Sequence, residues 1–167
     1  DDGTEREFTP LHHACATGGV RLAEWYLAAG AELERQDALG RSPLLVACEF
    51  GHMAAYQMLL QHGADALRVD KGERSALMLA CENGHDLCVH ALIKAGANLE
   101  ATQIGGWTAI MYSAQNGHDL CLRTLIKAGA NIEHALEDGF NSLLYAAQNG
   151  HDLCLHALIK AGAAVNA

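Results

Sequence analysis

Hydrophobic and polar positions along this chain fall into blocks that return every 33 residues. The segments "TPLHHAC", "SPLLVAC", "SALMLAC", "TAIMYSA" and "NSLLYAA" open at Thr9, Ser42, Ser75, Thr108 and Asn141. Each starts on a residue whose side-chain oxygen can cap a helix. Pro10 and Pro43 then occupy the first helical position, where the missing N–H costs nothing. The apolar stripe is narrow and at helical spacing: Leu44, Ala47 and Cys48 in the second copy. Glycine stops the helix at 18, 51, 84, 117 and 150, in the position that favours left-handed backbone. A second helix is predicted after it. Asp86, Asp119 and Asp152 fall in its first turn and Lys94, Lys127 and Lys160 in its last, so charge complements the helix dipole at both ends. "AGA" closes the second helix, and about ten residues lead to the next cap.

Five copies without an insertion make a stacked repeat array, with repeats at approximately 4–36, 37–69, 70–102, 103–135 and 136–167. The period, the "TPLHHACATGG" of 9–19 and the "GHDLCVHALIKAGANLEA" of 84–101 resemble the ankyrin-repeat family, over roughly residues 4–167. The departures are local. "TPLH" keeps its histidine only at His12, and the first copy has Gly19 where later copies have His52, His85, His118 and His151. The resemblance implies an all-α solenoid forming one domain over 1–167. Its helix–turn–helix units would carry short β-hairpin fingers and stack into a twisted, slightly curved slab. It also implies a protein-interaction module without catalytic activity, holding a partner protein or peptide in a concave groove of fingers and first helices. The histidine after each glycine would bond backbone groups and tie adjacent repeats together.

Composition narrows the partners. Eleven basic against twenty acidic residues give a formal charge of −9, which repels nucleic acid and anionic membrane surfaces. Half the residues are hydrophobic, yet the longest apolar runs fall short of the roughly 20 needed to cross a bilayer. No basic start followed by an apolar centre marks a signal peptide. A monomer in a reducing compartment, the cytoplasm or alternatively the nucleus, is expected. Neither end shows a polar capping repeat, which suggests a piece of a longer array. Two other readings remain open: a regulatory segment of a larger enzyme, channel or effector, and an engineered array, since copies three to five are near duplicates.

The recurring histidine and cysteine of "NGHDLC" raise the question of a metal. Cys15, Cys48 and Cys81 share a column with Ala114 and Ala147; Cys88, Cys121 and Cys154 share one with Leu22 and Ala55. Such columns are packing columns. Equivalent residues in stacked helices sit about 8–10 Å apart, whereas zinc ligands converge at about 2.0–2.3 Å. Buried, reduced cysteines without metal, disulfide or cofactor are expected. His90 and His156 fall on the exposed side of the second helix. No histidine has a nucleophile or carboxylate partner that would support catalysis.

Function is therefore sought in the columns that vary. The residue before each cap reads Phe8, Arg41, Arg74, Trp107, Phe140; a first-helix column reads His13, Val46, Leu79, Tyr112, Tyr145. Only nine residues of the chain are aromatic, so the gathering of Trp107, Tyr112, Phe140 and Tyr145 in copies three to five is pronounced. These four, with Gln115 and Gln148 as hydrogen-bonding groups, are the candidate partner-binding residues. Arg41 and Arg74 join them, with Lys71, as a basic strip. The expected partner offers apolar residues beside a few carboxylates.

Overall fold

The computed structural model describes residues 8–165. Residues 4–7 of the first predicted copy and 166–167 of the last lie outside that range. The chain divides into two compact units, Asp1–Ala76 and Leu77–Ala167. In the first, α1 (Pro10–Ala16) packs on α2 (Val20–Ala28) and α3 (Pro43–Glu49), and α4 (Met53–Gln61) on α2 and α3. The second holds α5 (Ala76–Glu82, starting at the boundary), α6 (Asp86–Lys94), α7 (Ala109–Gln115), α8 (Asp119–Ala128), α9 (Ser142–Gln148) and α10 (Asp152–Lys160). Here α8 packs on α6, α7 and α10, while α9 packs on α7 and α10.

Short first helices and longer second helices follow from the sequence signals. Thr9, Ser42 and Asn141 accept the backbone N–H of the third helical residue, and Pro10 and Pro43 start their helices. Thr108 departs from that pattern. It stands at the cap of α7 but makes no capping bond, and its buried hydroxyl has no partner. The predicted stripe is in place: Leu44, Ala47 and Cys48 are buried, as are Leu92, Leu125 and Leu158 on the second helices.

The fingers differ from expectation. Among the described residues there is no strand, only an isolated antiparallel bridge between Ala135 and Asn141. Each finger is a tight turn. The N–H of Asp37, Asp70, Gln103 and Leu136 donates to the carbonyl of Arg41, Arg74, Trp107 and Phe140, at 2.8–3.1 Å. One such bond closes the turn, and the flanking chain departs at once to reach the neighbouring helix, so no ladder forms.

Histidine ties successive repeats together. The ring N–H at Nε2 of His52, His118 and His151 donates to the carbonyl of Ala16, Glu82 and Gln115, at 3.0, 3.1 and 2.9 Å. Each ring lies on a glycine of the preceding repeat. A Cβ at Gly18, Gly84 or Gly117 would fall 2.7, 2.6 or 2.5 Å from that ring's Nδ1. Backbone angle and space both select glycine there, since φ at Gly117 is +73°. Gly129 shares the left-handed backbone, φ +91°, but has nothing within 4 Å of where a Cβ would stand. Gly117→Ala is therefore expected to cost about 1–3 kcal/mol more than Gly129→Ala, because the ring must move as well. Urea denaturation of the two variants measures the difference, and equal losses would show that the His151 ring yields freely.

Candidate functional site

Trp107 and Phe140 each end a finger, one residue before the cap of α7 and α9, and those helices carry Tyr112 and Tyr145. The placement brings the four rings into one contiguous cluster. Trp107 lies 4.5 Å from Tyr145 and 5.3 Å from Tyr112 between ring centroids, and Phe140 lies 5.3 Å from Tyr145. The interplanar angles of 38–51° are tilted arrangements that suit the ring quadrupoles. Tyr112 is buried beneath Trp107, while Trp107, Phe140 and Tyr145 are half-buried and keep part of each ring in solvent. Tyr112 thus packs as part of the core. Burial, and then the nearby Asp138 carboxylate, push the Tyr145 hydroxyl above its usual pKa.

The two glutamines divide. Gln148 is exposed at the end of α9. Gln115 is half-buried, and its backbone carbonyl accepts from the His151 ring. The asparagines beside them serve the fold. The Asn149 amide donates to the Tyr145 carbonyl of its own helix at 2.9 Å, and the Asn116 amide to the Glu82 carbonyl one repeat back at 3.1 Å.

The basic strip is used internally, which corrects its expected availability. Arg41 Nε donates to Asp37 Oδ2 at 2.8 Å, and its guanidinium also reaches Glu49. Asp37, almost wholly buried, accepts further bonds from the N–H of Leu39 and Arg41, each at 2.9 Å. The next finger repeats the device: Arg74 Nε donates to Asp70 Oδ2 at 2.7 Å, while Asp70 Oδ1 accepts from the N–H of Gly72 and Arg74. Both arginines brace their own finger turns. Lys71 donates through Nζ to Ala38 O at 2.7 Å, across to the preceding finger. Two further ties were not anticipated. His134 bonds Gly106 O at 2.9 Å, and Glu34, Glu100 and Glu133 accept the N–H of Asp65, Asn131 and Ala164, one repeat further along. The 33-residue recurrence of glutamate after "GA" at Glu100 and Glu133 was the available signal.

None of the six cysteines forms a disulfide, and all are buried. Burial raises the thiol pKa to about 12 at Cys15 and Cys121 and about 11 at Cys154, so these stay protonated at neutral pH and are poor nucleophiles or ligands. Among the described residues no three His, Cys, Asp or Glu side chains converge on a point that could hold a metal ion. No helix among them is long and apolar enough to cross a membrane. His90 and His156 are exposed.

The sequence profile of ankyrin repeats (three copies) matches residues 11–103 and 100–167. The chain belongs to the ankyrin-repeat family. No curated protein matches this ankyrin chain. Ankyrin repeats are in general protein–protein interaction modules, and domains built from them are typically binding modules without catalysis. In this ankyrin array the variable columns hold an arginine brace on the first two fingers and an aromatic cluster on the last two.

Proposed function

We propose that this chain is a single five-repeat interaction domain of scaffold or adaptor type, without catalytic activity or cofactor. It binds a segment of a partner protein on the fingers and first helices of the fourth and fifth repeats. The observation that carries this reading is the four-ring cluster of Trp107, Tyr112, Phe140 and Tyr145, with the exposed Gln148 beside it and Gln115 at the end of α7. Aromatic residues dominate binding hot spots, and finger-tip rings have less packing reason to be large than rings in a core. Arg41 and Arg74 act in this reading as supports of their fingers. Six buried cysteines, none in a disulfide, fit a monomer in a reducing compartment, cytoplasmic or nuclear.

Trp107→Ala and Phe140→Ala are each expected to weaken partner binding by about 2 kcal/mol, or some thirtyfold. The triple change of Lys94, Lys127 and Lys160, exposed at the ends of α6, α8 and α10, is expected to leave binding nearly intact. The measurement is calorimetric titration with a partner recovered from the source organism. If the lysine variant loses the partner while the aromatic variants keep it, the proposal fails.

A further inference from the structure

Basic residues are distributed one-sidedly over the second unit, whose second helices also carry Asp86, Asp119 and Asp152. Its four lysines and arginines, Lys94, Arg123, Lys127 and Lys160, all lie on second helices. The first helices and fingers of the same unit carry Glu82, Glu100, Glu133, Glu137 and Asp138 and no lysine or arginine. Glu100 and Glu133 are engaged with backbone N–H groups. Glu137 and Asp138 stand exposed on the finger that ends in Phe140. Asp138 Oδ1 accepts the Phe140 N–H at 3.0 Å, which fixes this carboxylate beside the rings and leaves its second oxygen for another donor. Its field is felt at the Tyr145 hydroxyl, where it adds to burial in raising the pKa. A partner meeting this face therefore meets electron-rich rings edged by carboxylates.

Ring spacing narrows the chemistry further. Centroids 4.5–5.3 Å apart leave no gap into which a side chain could insert, so the cluster is a filled patch and not a socket. A compact ammonium ion is held best when several rings surround it. A planar guanidinium needs only a ring face to lie on, and its fork of N–H donors can reach a carboxylate at the edge. The chain itself contains such a contact: the Arg21 guanidinium lies 5.9 Å from the centroid of the exposed Trp25 ring.

We infer that the cluster receives an arginine side chain of the partner, its guanidinium stacked on the solvent-exposed parts of the Trp107 and Tyr145 rings and its N–H groups directed to Asp138. The inference rests on the cluster being a docking surface. The partner is therefore a segment bearing an arginine among apolar residues. Its charge is opposite to that of the carboxylate-bearing partner expected from the basic strip of Arg41, Arg74 and Lys71.

The test uses acetyl-Leu-Arg-Leu-amide, with lysine and the neutral isostere citrulline as replacements for the central residue. Each is titrated into the full chain carrying Trp25→Phe, which leaves Trp107 as the only indole. The arginine peptide is expected to change Trp107 fluorescence saturably. Citrulline should bind about five- to thirtyfold more weakly, with lysine in between. Asp138→Asn should weaken the arginine peptide and leave the citrulline peptide unchanged. Equal binding of arginine and citrulline at Trp107 would overturn the arginine assignment and leave the docking surface standing. A Trp107 that stays silent while amide resonances of α6, α8 and α10 respond would overturn both. No saturable response to the arginine peptide anywhere would remove the arginine, and the docking surface would then be judged by partner capture alone.

Discussion

Leu125→Ala is expected to lower the free energy of unfolding by about 2–5 kcal/mol. His90→Ala, on the outer face of a neighbouring second helix, is expected to change it by no more than about 0.5 kcal/mol. Leu125 has 0% of its surface exposed and sits in the middle of α8, the helix that packs on α6, α7 and α10. Truncating it removes apolar contact from the packing of α8, and stacked backbones can close the cavity only by shifting whole repeats. Repeat arrays concentrate stability in these nearest-neighbour interfaces, so the loss should appear in the whole cooperative transition of the second unit. Denaturant melts followed by circular dichroism measure both variants. Similar losses at the two positions would show that the inward and outward columns of the second helices have been exchanged.

Asp37→Ala is expected to cost about 3 kcal/mol or more, because it strips a buried ion pair of one partner and orphans the turn donors it serves. The Asp37 side chain is 3% exposed. It accepts the N–H groups of Leu39 and Arg41 and the Arg41 guanidinium. The pH dependence has a definite sign. Burial acts to raise the Asp37 pKa, but the Arg41 side chain and the backbone N–H groups outweigh it and hold the carboxyl below its usual range. A carboxylate with a lowered folded-state pKa stabilises fully above its unfolded value, about pH 4, and loses that contribution as pH falls through the folded-state value. Wild type should therefore exceed Asp37→Asn in stability at pH 7, and the gap should narrow at pH 3. A gap that stays constant between these pH values would mean that Asp37 is not ionised in the folded chain.

The repeat architecture was legible because the signals for it are local and recur. Caps, prolines, left-handed glycines and a core stripe each restate the same 33-residue unit, and position for position the helices form where those signals lie. The fingers were less legible. Whether a turn extends into a ladder depends on how soon the chain must leave for the next helix, and residue types in the turn do not state that. At the site, the four aromatics could be grouped from their columns, and the rings do touch. The roles of Arg41 and Arg74 could not be reached by comparing columns, since their partners Asp37 and Asp70 lie four residues back in the same turn, in the sequence D-x-x-x-R. That motif is absent from the last two fingers, where Gln103 and Leu136 stand in place of the aspartate and Trp107 and Phe140 in place of the arginine. The paired change is the sequence's own statement that those two fingers are finished differently.

The glycine that receives a histidine ring and the histidine that supplies it belong to different copies, Gly84 with His118 and Gly117 with His151. The join between repeats is therefore written half in each, in the same words every time. Cutting out residues 85–117 would set Gly84 in front of His118 in the chain and leave it facing His151 across the new stack, with both halves of the join unaltered. At this join, glycine and ring would still match if the array were lengthened or shortened by a whole copy.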